Sequence, residues 1–154
     1  MFPNKWSIIG GGKKMIKYQK LPQDINQLLP AAESYLQSHH NVLFAYLFGS
    51  LAKGNPTPLS DVDIAVFLRP GVKSAENKLE LLGRLIDILK TDEIDLVVLN
   101  TANLPLVMNI LKNKKILVDN NPFVRHNFES LAMRKYFDFS IKEAAILRRR
   151  YLHA

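Results

Sequence analysis

The sequence predicts an α/β (α+β) domain, built as a mixed sheet of about four short strands flanked by helices, with one long helix at the C-terminal end. Three observations lead there. Short, wholly apolar runs bounded by glycine, proline or asparagine alternate with longer segments whose apolar residues recur at helical spacing. The 154-residue length fits one domain, and a chain of that size buries roughly two-thirds of the surface it exposes when unfolded. There is no cysteine, so an apolar core must hold the fold without a disulfide.

Residues 1–20 read as a flexible lead-in because of Gly10-Gly11-Gly12, and 21–154 as the single domain. Met15 is a second candidate start. Asp24 to Ser38 predicts a helix with Ile25, Leu28, Leu29, Ala32, Tyr35 and Leu36 on one side, and Pro30 predicts a kink or a late start. Asn41 to Phe48 predicts a strand that Gly49-Ser50 ends, followed by a short helical segment over Leu51 to Gly54. Asn55-Pro56-Thr57-Pro58 is a loop by its turn chemistry. Val62 to Leu68 predicts the second strand, stopped by Pro70-Gly71. Ser74 to Lys90 predicts an amphipathic helix capped by Ser74, with Leu79, Leu82, Leu85, Ile86 and Leu89 inward. Ile94 to Leu99 predicts the third strand and Leu104 to Lys112 a short helix with Pro105 in its first turn. Ile116 to Val118 predicts a fourth strand. From Pro122 to about Leu152 a long helix is expected to bury Phe128, Leu131, Tyr136, Phe139, Ala144 and Leu147.

The composition narrows the function. The formal charge is +7, an excess that suits nucleotides, nucleic acid or an acidic protein, or else only a solvated basic surface. No helix-turn-helix, zinc or aromatic-strand motif supports direct nucleic-acid binding. Without cysteine there is no thiolate zinc site and no cysteine nucleophile, a composition compatible with the reducing cytoplasm expected here. No apolar run approaches the ~20 residues of a membrane helix. The N-terminal stretch also lacks the long apolar core of a signal peptide.

Chemistry concentrates in Gly49 to Leu68, which contains Gly49-Ser50, ten intervening residues and then Asp61-x-Asp63, with Asp95 opening the next strand. Side chains two apart on a strand share a face, so Asp61 and Asp63 are expected to project together. Ionised carboxylates that close repel unless a cation lies between them. Hard oxygen ligands suit Mg²⁺, which is held by one or two carboxylates plus phosphate oxygens. If the third strand pairs with the second, Asp95 joins them, and three carboxylates can hold a pair of metals. Gly49 and Ser50, where strand turns into helix, offer free backbone N–H groups and a hydroxyl to phosphate oxygens. Lys53 adds charge nearby, although a surface lysine is the plainer reading, and Ser60 is a further nucleotide-binding candidate. Four fixed positions recur by chance about once in 10⁵ starts, so the spacing is specific where a lone Gly-Ser or Asp-x-Asp is not.

These residues, Gly49-Ser50-x10-Asp61-x-Asp63 with a later Asp95, resemble the signature of nucleotidyltransferases of the DNA polymerase β-like superfamily. Among these the chain resembles the minimal nucleotidyltransferase (MNT) antitoxins encoded beside HEPN-domain ribonuclease toxins. The motif covers Phe48 to Leu68 and Asp95 to Leu99; the order of elements extends the likeness over roughly residues 24 to 152. The resemblance implies a nucleotidyltransferase fold, a two-metal Mg²⁺ site and ATP as donor. Asp61 and Asp63 would ligate both metals, and Asp95 would ligate one and help deprotonate the acceptor. Gly49 and Ser50 would hold the β- and γ-phosphates. AMP would pass to a tyrosine of the cognate toxin. Lys53 stands where arginine is common in the family, which replaces a bidentate fork by a point charge.

The tail ending in Arg148-Arg149-Arg150 also resembles these antitoxins. Its basic end is either a solvated face or a docking surface for protein or RNA. His39, His40, His126 and His153 have no metal spacing and read as surface or cap residues, and Tyr136 and Tyr151 as core or rim. Two other functions remain open: a nucleotidyltransferase acting on a small molecule such as an aminoglycoside, and an antitoxin that only binds. The first usually carries a larger acceptor domain, for which the residues after Pro122 are too few.

Overall fold

The computed structural model describes residues 22, 24–57 and 59–152, together with the backbone of two strands, β1 (Trp6–Ile9) and β2 (Lys14–Lys17). Those two strands pair antiparallel, with Ile9 opposite Lys14, within the stretch that the sequence reads as a flexible lead-in. Gly10 to Gly12 lie outside the described residues. Then follow α1 (Ile25–Ser38), β3 (Val42–Phe48), α2 (Gly49–Lys53), β4 (Val62–Leu68) and α3 (Ser74–Leu89). The chain continues through β5 (Ile94–Val98), α4 (Leu104–Lys112), β6 (Lys115–Asp119) and α5 (Pro122–Leu152).

The main sheet is four-stranded and mixed, in the order β5-β4-β3-β6. β3 runs antiparallel to both β4 and β6, whereas β4 and β5 are parallel and joined by the crossover helix α3. Strand alternation sends side chains to two cores. Ala45, Leu47, Val62, Ile64 and Val66 pack with Leu36 of α1 and with Leu81 and Leu85 of α3. Phe44, Tyr46, Phe48 and Ala65 pack with Val107 and Ile110 of α4 and Ala132 of α5. Each fully buried leucine or isoleucine contributes on the order of 1.5–3 kcal/mol. No helix among the described residues is long and apolar enough to cross a membrane.

Three details differ from expectation. Helix α1 runs uninterrupted through Pro30, which lies on its exposed side. Helix α3 buries Asn77, Leu81, Leu85 and Leu89, while Leu79 is 72% exposed. Asn77 sets that rotation, because its carbonyl accepts from the Asn41 amide at 2.9 Å and its own amide donates to the Lys73 carbonyl at 2.9 Å. The N-cap is Lys73, whose side chain makes no cap bond, and Ser74, the expected cap, is the first helical residue.

The third difference is α5. Only Arg125 and Ala132 are buried on it, Phe128 is half-buried, and Leu131, Tyr136, Phe139, Ala144 and Leu147 are exposed. Its first turns are anchored by Val124, Phe128 and Ala132 against the second core and by a charged network beside them. Arg125 donates to both Asp119 oxygens at 3.0 Å and to Glu129 at 3.2 Å. Glu129 also accepts from the Tyr46 hydroxyl at 2.6 Å and pairs with Lys114 at 3.0 Å. Burial pushes the Glu129 carboxyl up, but its hydrogen bonds from Tyr46, Lys114 and Arg125 outweigh this and hold it below its ordinary value. Burial and the bond to Glu129 push the Tyr46 hydroxyl well above its usual range.

Candidate active site

The ladder between β4 and β5 sets Asp63 directly beside Asp95. Neighbouring strands lie about 4.8 Å apart, and residues paired in register present their side chains to the same face. That is the face lined further along by Ala65 and Leu99, toward α4 and α5. Asp63 is half-buried and Asp95 exposed. Asp61 lies one residue before β4, half-buried. The chain enters β4 there through the Val62 N–H, which donates to the Glu93 carbonyl at 2.9 Å.

On the other side of Asp63, β3 ends with Phe48 paired to it. The next residue, Gly49, turns the chain into α2 with φ +69°. A side chain at Gly49 has no room: a Cβ there would fall on Oδ2 of the Asp63 carboxylate and lie 2.9 Å from its Cγ. The Gly49 backbone therefore lies directly against this carboxylate. Ser50 is half-buried in the first turn of α2, where backbone N–H groups lack helical partners.

The remaining candidates are placed less centrally. Lys53 is exposed at the far end of α2, where a cation favours the helix C-terminus on its own account. Ser60 closes its own loop: its hydroxyl accepts from the Thr57 N–H at 2.8 Å and lies 3.0 Å from the Thr57 hydroxyl. His39 caps the end of α1, its ring Nδ1 accepting from the Asn41 N–H at 3.3 Å. His126, Tyr136 and Tyr151 are exposed, and His153 lies outside the described residues.

Among the described residues, no three acidic or histidine side chains form a ready-made metal cage. The donor set nevertheless fits Mg²⁺, which takes one or two carboxylates and completes its shell with water and substrate phosphates. Asp63 and Asp95 abreast, flanked by Asp61, supply such oxygens, and the first turn of α2 at Gly49 and Ser50 is the kind of helix start that meets phosphate. Sequence reasoning missed the buried Arg125, because its spacing of four to Glu129 looks like an ordinary helix-surface pair and its other partner, Asp119, lies on β6.

Comparison with known proteins gives the family. The profile of the Polbeta family (polymerase beta, nucleotidyltransferase) matches residues 31–123, well over half of the chain. No curated protein sequence matches it. Among solved structures, it is similar to a chain of a toxin–antitoxin complex with AMP-PNP, at 24% identity and TM-score 0.63, covering 77% of this chain and 94% of that one. It is likewise similar to a chain of a complex between tri-AMPylated Shewanella oneidensis HEPN toxin and MNT antitoxin, at 24% identity and TM-score 0.59, covering 79% and 94%. A tyrosine-to-alanine mutant of the MntA–HpeT toxin–antitoxin complex contains a chain 27% identical, with TM-score 0.57 and coverage of 80% and 92%. With its mixed sheet and its profile match, the chain belongs to the polymerase β nucleotidyltransferase family.

Proposed function

We propose that this chain transfers AMP from ATP to a tyrosine hydroxyl of a HEPN-domain toxin, and so acts as that toxin's antitoxin. One observation carries the reading: Asp63 and Asp95 stand in register on parallel strands, with the Gly49 backbone pressed against Asp63. The similar structures, one with AMP-PNP and one with an AMPylated HEPN toxin, supply the donor and the class of acceptor.

In this mechanism Asp61, Asp63 and Asp95 would hold Mg²⁺, which when bound would supply charge neutralisation at the phosphates and a lowered pKa at the acceptor. The backbone at Gly49 and Ser50 holds the β- and γ-phosphates and aligns the triphosphate. The tyrosine oxygen attacks the α-phosphorus. The new bond joins that oxygen to phosphorus, the bond from phosphorus to the β-bridging oxygen breaks, and pyrophosphate leaves. Asp95 accepts the tyrosine proton. Catalysis rests on positioning and on charge stabilisation, with no covalent enzyme intermediate.

Incubation with α-labelled ATP, Mg²⁺ and the HEPN protein encoded beside this chain tests the reading. Label should appear on the toxin and stop its RNA cleavage. A stable complex that silences the toxin without acquiring label would replace transfer by simple binding.

A further inference from the structure

Asp95 borders an open groove of about 430 Å³ that runs along the outer edge of β5. Four consecutive residues, Asp95 to Val98, form its floor, with Ala75 and Lys78 of α3 on one wall and Thr101 and Leu106 on the other. Strand β5 is the end of the main sheet, and among the described residues no strand pairs with its outer side.

The hydrogen bonding shows which groups face that side. Glu93 accepts from the Val62 N–H, and the Leu99 N–H donates to the Val66 carbonyl. Successive residues of a parallel strand direct their N–H and C=O groups alternately to the two sides. Odd-numbered residues from 93 to 99 therefore face β4, and Ile94, Leu96 and Val98 face outward. The Val98 carbonyl accepts from the Thr101 N–H at 3.4 Å and closes the far end. An open strand edge of this kind is matched by another extended backbone, whose side chains alternate into pockets.

The placement across the sheet adds direction. Gly49 lies against Asp63 from the β3 side, Asp95 stands on the opposite side of Asp63, and the groove lies beyond Asp95. Phosphoryl transfer needs attacking and leaving oxygens roughly in line across phosphorus. A phosphate tail held at Gly49 leaves the groove side to the acceptor.

Building on the transferase reading above, we propose that this groove binds an extended, tyrosine-bearing segment of the acceptor protein as an added strand on β5. The tyrosine lies at the Asp95 end. The next residue on the same side of the segment enters the apolar part of the groove, and Lys78 favours an acidic neighbour.

Two variants of the full chain test it, each compared with wild type for its affinity for the adjacent HEPN protein and for AMP-PNP. Ala75→Trp fills the groove from an exposed position in the first turn of α3, and Lys78→Glu reverses the charge of its wall. Ala75→Trp should weaken partner binding, and raise the partner's KM, at least tenfold. Lys78→Glu should do so several-fold. Both should bind AMP-PNP within twofold of wild type and melt at the wild-type temperature. In the wild-type complex, amide exchange at Ile94 and Leu96 should slow.

Loss of AMP-PNP affinity with partner binding intact would assign the groove to the nucleotide and overturn the proposal. So would unchanged partner affinity in both variants, or unprotected Ile94 and Leu96 amides in the complex. If wild type binds the partner but never labels it, the transferase reading fails alone, and affinity and exchange still decide the groove. A wild-type chain that neither binds nor labels the partner overturns both.

Discussion

Replacing Gly49 with alanine separates the cost to the fold from the cost to the site. Gly49 has φ +69°, and a non-glycine residue held in the left-handed region costs roughly 1–2 kcal/mol. In a chain this long each kcal/mol lowers the melting temperature by about 2–4 °C, so the backbone term predicts a fall of about 2–8 °C. The added Cβ would also occupy the place of Asp63 Oδ2 and lie 2.9 Å from Asp63 Cγ. The carboxylate or the turn must shift by the order of an ångström, and a misplacement of that size costs about 100-fold in rate. Gly54→Ala is the control: its φ is +77° but nothing lies within 4 Å of the added Cβ. Gly54→Ala should therefore show the backbone loss alone by thermal unfolding, Gly49→Ala at least that loss, and only Gly49→Ala should lose about two orders of magnitude in transfer from α-labelled ATP. Equal transfer by both would refute the claim that Gly49 is kept bare to seat Asp63.

Other parts of the structure yield further outcomes. Gly83 is exposed in the middle of α3 with no positive φ and open space around it, so Gly83→Ala should stabilise the chain by about 0.5–1 kcal/mol in denaturant unfolding. Tyr46→Phe removes a hydrogen bond to a carboxylate and should cost about 1.5–3 kcal/mol. The Glu129 carboxyl sits below its ordinary 4.5; its contribution to stability is therefore present above that pH and lost as pH falls through the lower folded value. Tyr46, raised above 10.0, contributes below pH 10 and loses that contribution as pH rises further, so Tyr46→Phe should flatten the alkaline fall in melting temperature. Removing residues 141–152, all exposed wherever described, should leave the melting temperature within about 2 °C.

Much of this was legible in the sequence, and the exceptions have physical causes. The four main strands are short apolar runs cut off by Gly49, Pro70 or asparagine, so composition alone located them. Asp61, Asp63 and Gly49 could be picked out because a period-two strand and a positive-φ turn each leave a local trace. That Asp95 stands beside Asp63 depended on strand order, which a parallel crossover decides and spacing does not. The inward face of α3 holds at Leu85 and Leu89 but not at Leu79, whose place in the first turns is taken by the buried Asn77 bonded to Asn41. Helix α5 carries apolar residues around its circumference, so no stripe announces which side packs. Its anchor combines Val124, Phe128 and Ala132 with a charge network whose members lie up to 83 positions apart. In β1 and β2 the four-residue strands are too short for periodicity to register.

In the proposed transfer Asp63 and Asp95 act together. The most direct measurement follows label from α-labelled ATP, and release of pyrophosphate, with wild type, Asp63→Asn and Asp95→Asn in Mg²⁺. The expected result is that each asparagine variant folds, melts within a few degrees of wild type and transfers at least 1,000-fold more slowly, a barrier increase of about 4 kcal/mol. Wild-type rates from either folded variant would contradict it.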